Sequence, residues 1–281
     1  VDAVTLRHAG ADRRYLLFRP PAGPEPPAVA VFLHGTGGTA DWAADEVRLP
    51  AFAAARGFAL AVPEGLPPDS ARPIGFLSNP PLWNDGSPGV IASAADDVGF
   101  LSAVVADALA RAGSDPRRVY LSGFSKGAAM AFRFAAARAD LLAAVAPVAG
   151  YCPPVPMPSR PVPTLYVIGD ADPLLPLAGG EARLPWATEP VRRPPVRTTL
   201  ERWAAAIGCD PVPRVESDAG GVRVEVFPSP VGTEFRAVTV AGLGHHWPGG
   251  RGRLNPRIGG RPSDRLDANA LVWDFFRRHR L

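Results

Sequence analysis

Short runs of apolar, often β-branched residues alternate along this chain with longer stretches whose apolar positions recur at helical spacing. The runs fall at 28–33, 58–62, 119–122, 142–148 and 164–168, and the helical stretches at 42–56, 94–112, 126–138 and 196–207. A parallel strand covered on both faces reads as an unbroken apolar run, so this alternation predicts a mostly parallel central sheet with helices on both faces. Ahead of it, residues 4–8 and 15–19 flank Gly10-Ala11-Asp12 and predict an antiparallel hairpin on the sheet edge. Behind it, 222–227 and 235–240 predict two more strands and 266–279 a closing amphipathic helix. No linker, repeat or charge run interrupts the pattern, so a single domain over 1–281 is expected.

Composition adds limits. With 47% hydrophobic and 20% charged residues the chain can bury a sizeable core. A net charge of +3, with its arginines dispersed, argues against a nucleic-acid partner. No run reaches the roughly 18 apolar residues of a membrane-spanning helix. The chain begins at Val1 and not at Met. Removal of a leader, and hence a secreted protein, is therefore the expectation. The 34 prolines gather at 20–27, 63–81, 153–163 and 185–195, which predicts stiff loops suited to building a pocket at the strand ends. Cys152 and Cys209 lie near no His and Asp spacing of a metal site, so no metal is expected, and the serine chemistry read below requires no organic cofactor.

The chemistry begins at Gly123-Phe124-Ser125-Lys126-Gly127, a G-x-S-x-G between a predicted strand and a predicted helix. Strand, sharp turn and helix together lift a serine hydroxyl onto an exposed tip, and glycines flank it because side chains there would collide. The motif is weak alone and gains its force from that context. A serine nucleophile needs a base, and the Gly-rich loop Gly242-Leu243-Gly244-His245-His246-Trp247 follows a predicted strand and offers two histidines that spacing does not separate. An orienting acid is offered by Asp170 or Asp172 at the end of the 164–168 strand. The order Ser, Asp, His is that of α/β-hydrolases. Backbone N–H groups at Thr36, in His34-Gly35-Thr36-Gly37-Gly38, and at Lys126 are the candidate oxyanion donors. That glycine run lacks the Gly-Lys-Ser/Thr ending of a phosphate loop and the G-x-G-x-x-G of a dinucleotide site.

These pieces resemble the polyhydroxybutyrate depolymerase-like esterases, related to the feruloyl and acetylxylan esterases of carbohydrate esterase family 1. The resemblance rests on His34-Gly35-Thr36-Gly37, Trp83-Asn84-Asp85, Asp96-Asp97-Val98-Gly99-Phe100-Leu101, the serine elbow, Asp170-Ala171-Asp172-Pro173-Leu174-Leu175-Pro176 and Gly244-His245-His246-Trp247-Pro248-Gly249-Gly250, in family order over about 30–250. It implies an α/β-hydrolase fold and a serine esterase in which Ser125 is the nucleophile, Asp172 the acid and His245 the base. His34, Trp83 and Trp247 are the candidate substrate contacts, with a packed core tryptophan as the competing reading of Trp83. Asp96 and Asp97 read as helix-capping charge. Two features depart from the family: Lys126 stands where relatives often carry a small or amide side chain, and 217–221 offers Cys209 no cysteine partner. A Cys152–Cys209 disulfide and two buried thiols therefore both stay open. The implied substrate is a small ester, an oligoester or a polysaccharide-linked ester, taken by a monomer. A serine peptidase on the same fold and a silent hydrolase-like binding protein are the rivals.

Overall fold

The computed structural model describes residues 1–87, 94–185 and 187–281; residue 186, in the proline-rich loop at 185–195, lies outside the described residues. Its strands are β1 (Asp2–His8), β2 (Ala11–Phe18), β3 (Val29–Leu33), β4 (Ala59–Pro63), β5 (Val119–Phe124), β6 (Ala144–Val148), β7 (Thr164–Gly169), β8 (Gly180–Ala182), β9 (Val191–Arg193), β10 (Arg214–Ala219), β11 (Val222–Phe227) and β12 (Phe235–Val240). Among the described residues one sheet runs β1-β2-β4-β3-β5-β6-β7-β12-β11-β10, and β8 and β9 form a separate hairpin. From β4 to β12 neighbouring strands are parallel, while both edges are antiparallel. The β1–β2 hairpin turns on Ala9 and Gly10, both at positive φ (47° and 82°), the backbone twist that a two-residue hairpin loop requires.

Helices cover both faces. On one side α3 (Asp97–Ala112), α4 (Lys126–Ala137) and α5 (Val196–Ala206) bury Phe100, Met130 and Trp203 in one core that also takes Val29, Val31 and Leu33 of β3. On the other, α1 (Ala40–Glu46), α2 (Leu49–Arg56) and α7 (Ala268–Phe276) bury Ala43, Leu49 and Phe275 against Ala30 and Phe32 of the same strand. The period of two along β3 thus divides its side chains between two cores, and both must be apolar.

The structure corrects one sequence expectation, adds strands that the apolar alternation does not predict, and decides one pair of open alternatives. The predicted helix at 42–56 is two helices, broken at Arg48, which sits in the left-handed region at φ 55°. Pro50 is the cause: it has no N–H to give the Glu46 carbonyl, which instead accepts from Arg251 N–H at 2.9 Å. The edge strand β10 was not foreseen because its residues are exposed along its whole length and carry no apolar alternation. Cys152 and Cys209 are both buried free thiols, and burial pushes the Cys152 thiol up to about 12. No described helix is long and apolar enough to cross a membrane.

Candidate active site

Ser125 sits between β5 and α4 with φ 57° and ψ −118°, a strained conformation for a residue with a side chain. The flanking glycines have a steric reason. A Cβ on Gly123 would lie 2.4 Å from the Gly127 carbonyl oxygen, and one on Gly127 would lie 2.3 Å from that of Leu33. Any side chain at either position would open the turn and move the hydroxyl.

The loop after β12 carries His245 to that hydroxyl, with Nε2 2.8 Å from Ser125 Oγ. Its backbone is fixed by Gly244 N–H donating to Arg261 O (2.7 Å) and His245 N–H donating to Gly259 O (2.5 Å). A Cβ on Gly244 would stand 2.0 Å from the Gly259 oxygen, so this approach needs glycine. His245 Nδ1 lies 2.7 Å from Asp172 Oδ2, and Asp172 Oδ1 accepts from the N–H groups of Leu174 (2.8 Å) and Leu175 (2.9 Å). Burial alone would raise the Asp172 carboxyl, but the facing imidazole and those two N–H donors outweigh it and hold the group below the ordinary carboxylate range. A carboxylate at Nδ1 puts the proton there and leaves Nε2 as an acceptor for the serine hydroxyl.

Both pairs that spacing left open are separated by their bonds. His246 turns its Nε2 to the Gly260 carbonyl oxygen at 3.1 Å, and Asp170 Oδ1 caps the turn by accepting from Gly242 N–H at 2.7 Å. Neither reaches Ser125.

The other expected residues divide. Among the described residues, the backbone N–H groups of Thr36 and Lys126 make no hydrogen bond, and Thr36 lines the cleft beside Ser125. The Lys126 side chain leaves the cleft and pairs with the buried Asp85 at 2.7 Å. His34 is among the residues lining the cleft, yet both of its ring nitrogens are engaged. Nδ1 is 2.7 Å from the Gly35 carbonyl oxygen, and Nε2 accepts from Gly65 N–H at 2.9 Å. Burial lowers its pKa to about 4, so it is neutral. No polar atom of that ring is left for substrate, and its work is to hold the 34–38 loop. Trp83 corrects the expected substrate contact: it is fully buried, does not line the cleft, and donates its indole N–H to the His34 carbonyl at 2.9 Å. Trp247 does line the cleft, packed edge-on against Phe32 and tied to Asn269 Oδ1 at 3.0 Å.

The most distinctive sequence blocks turn out to be a frame behind the elbow. Asp96 caps α3 through Gly99 N–H at 3.0 Å, whereas Asp97 is buried and accepts from Arg13 (2.7 Å) and Asn84 N–H (2.6 Å). Arg133 of α4 donates to Asn84 Oδ1 at 2.6 Å. The 83–85 loop is thereby bolted to the helix that starts at the serine.

The cleft itself measures about 450 Å³ and is lined mainly by apolar atoms. Sequence reasoning missed most of this wall: Trp42, Phe76, Phe124, Leu174, Leu254 and Ile258. Phe76 arrives on a loop folded around Asn79, whose Nδ2 donates to the carbonyls of Asp69 (2.7 Å) and Arg72 (3.0 Å). Only the proline clustering at 63–81 had marked that loop.

A mostly parallel sheet covered on both faces, with a serine on the turn after its central strand and a histidine and aspartate on later loops, defines an α/β-hydrolase. Residues 13–152 match the family described as esterase PHB depolymerase. Over 95% of its length the chain is 35% identical to NocK of Nocardia uniformis subsp. tsuyamanensis, a protein named as an esterase, and covers 80% of it. It is 28% identical over 174 residues to feruloyl esterase B of Piromyces equi, spanning 58% of this chain but only 31% of that protein. The same fold is found in the acetyl xylan esterase from Aspergillus awamori (TM-score 0.58, 15% identity, 88% of this chain and 94% of that one). It recurs in esterase PE8 (TM-score 0.53, 18% identity, 92% and 97%). The chain belongs to the PHB depolymerase esterase family and is a carboxylic ester hydrolase.

Proposed function

We propose that this protein cleaves esters through a Ser125–His245–Asp172 triad and an acyl-enzyme. The observation that carries the reading is the unbroken relay from Asp172 Oδ2 through His245 to Ser125 Oγ, at 2.7 Å and 2.8 Å, ending on a strained elbow at the cleft wall. His245 Nε2 takes the Ser125 proton as Oγ attacks the ester carbonyl. The resulting oxyanion is held by the N–H groups of Thr36 and Lys126, the latter at the positive end of α4, each donor supplying about 3 kcal/mol of barrier lowering. The imidazolium, steadied by Asp172, passes its proton to the leaving alcohol. Water then enters and attacks the acyl carbon while His245 takes its proton; the adduct collapses by breaking the bond to Ser125 Oγ, which recovers that proton from His245, and the acid is released.

The apolar cleft wall suits an ester with an aliphatic or aromatic group over a bare acetate, because apolar area removed from water is worth about 25 cal/mol per Å². That favours hydroxyalkanoate oligomers and feruloyl esters as substrates. The deciding assay is hydrolysis of p-nitrophenyl butyrate, methyl ferulate, acetylated xylan and hydroxybutyrate oligomers by the wild type and Ser125→Ala. Cleavage of at least one ester, lost on the order of 10⁵-fold in the variant, is the expected result. A folded wild type inert toward all four, or a variant that keeps its rate, overturns the proposal.

A further inference from the structure

The hairpin of β8 and β9 brings Arg193 to Tyr151, within electrostatic reach of Asp172 and Asp85. The hairpin is clamped from two sides. The Pro194 carbonyl accepts from Tyr151 Oη at 3.1 Å, and Gly179, a few residues past the Asp172 loop, sits so close that its Cβ would be 2.7 Å from the Arg193 carbonyl oxygen. Tyr151 in turn follows Gly150, whose Cβ would be 2.5 Å from the Ser125 carbonyl oxygen. The Arg193 guanidinium carbon lies 5.5 Å from the Tyr151 ring centroid. Elbow, Tyr151, hairpin and acid loop thus form one wall. Arg193 is absent from the residues lining the apolar cleft and stands with this separate group.

What sets Arg193 apart is its lack of a counter-ion. Among the described residues it is the partly buried arginine whose side chain makes no hydrogen bond and no ion pair, and its Nε is fully shielded from solvent without a partner. Its counterparts are all matched: Arg13 to Asp97, Arg197 to Glu225, Arg236 to Glu216 and Glu234, Arg118 to Asp115, and Arg133 to Asn84. The acidic groups whose charge reaches Arg193 are spoken for, Asp172 by His245 and Asp85 by Lys126. Burial depresses the guanidinium below its ordinary value, with Tyr151, Asp172 and Asp85 opposing at a distance, and leaves it a cation. A partly desolvated cation without a partner is costly, and a planar guanidinium matches a carboxylate through two parallel N–H donors.

We infer that Arg193 is a specificity residue that binds a free carboxylate on the substrate, so that the preferred ester carries an acid group near the scissile bond. This rests on the esterase reading above and deepens it. An open-ended hydroxy-acid oligomer or a half-ester of a dicarboxylic acid has that chemistry, with its apolar part in the cleft and its acid against Arg193. A fully neutral ester leaves the cation bare.

The test compares p-nitrophenyl butyrate with p-nitrophenyl hemisuccinate for the wild type, Arg193→Gln and Arg193→Lys, with melting temperature as the folding check. The inference expects the ratio of kcat/KM, hemisuccinate over butyrate, to fall about tenfold to a hundredfold in Arg193→Gln, mainly through KM, and to recover in part in Arg193→Lys. A ratio unchanged by either substitution overturns it. Calorimetric titration of succinate into Ser125→Ala and into Ser125→Ala/Arg193→Gln keeps the inference separate from the hydrolase reading. Succinate binding weakened about tenfold by loss of the arginine supports the carboxylate site even if neither ester is cleaved. Binding that is equal in both proteins, or missing from both, overturns it. Should Arg193→Gln fail to fold, the Arg193→Lys ratio and the succinate titration of Ser125→Ala alone carry the decision, absence of binding again being the overturning result.

Discussion

The loops at 34–38 and 242–250 have much in common. Each follows a parallel strand, β3 or β12, each is rich in glycine, and each brings a buried histidine to the wall of the same cleft. Their histidines nevertheless do opposite things. His34 gives both ring nitrogens to the backbone, at Gly35 and Gly65, and so is used up in holding a loop. His245 gives one nitrogen to a buried carboxylate and offers the other to a hydroxyl. Burial and glycine context do not make an imidazole a base; the partners of its two nitrogens do.

The contrast can be broken most forcefully at His245. His245→Gln should lower kcat on the order of 10⁴-fold to 10⁶-fold while moving the urea midpoint little, since it removes the proton carrier of the proposed mechanism and leaves the loop's backbone bonds in place. If His34→Gln were the variant that lost this much activity while folded, the two roles would be reversed.

The second prediction concerns pH. His34 has a folded pKa of about 4, below its unfolded value of about 6.5. Its contribution to stability is therefore complete above pH about 6.5, because neither state then holds the extra proton. As pH falls the unfolded chain takes up a proton that the native ring refuses. The contribution is lost progressively down to pH about 4, by about 3 kcal/mol at most. Glutamine at 34 keeps an acceptor for Gly65 N–H and does not titrate. Urea midpoints at pH 7 and pH 4.5 should therefore lie closer together in His34→Gln than in the wild type, and equal spacing would show that this histidine does not set the acid sensitivity.

The smallest effect belongs to Trp83. Trp83→Phe removes the indole N–H that holds the His34 carbonyl and should cost about 1 kcal/mol in urea unfolding. It should change kcat/KM less than tenfold, as expected of a support one bond behind the loop. A larger loss of activity than of stability would return Trp83 to the substrate's side.

Much of the frame is readable before any coordinates. Strands such as β3 and β7 announce themselves because a strand covered on both faces has no polar position to spare. The elbow is readable because its turn excludes side chains at 123 and 127. The choice within Asp170 and Asp172, or His245 and His246, is not, since each neighbour is chemically suitable and only its bonded partner decides. The cleft wall is illegible for another reason: Phe76, Leu174 and Ile258 meet there from loops far apart in the chain, and each is apolar without any periodicity. Arg193 is harder still, because what distinguishes it is a missing partner, and a missing partner leaves no mark in a sequence.

The break at Pro50 bears on how the protein is made. Because the Glu46 carbonyl waits for Arg251, the Val47 carbonyl for Asn269, and the His245 N–H for Gly259, the ends of the chain close upon each other around the site. During translation the serine leaves the ribosome well over a hundred residues before the segments that seat its imidazole. The contact between His245 and Ser125 can therefore close only when synthesis has passed the 259–269 segment, and on the proposed mechanism hydrolysis waits for it.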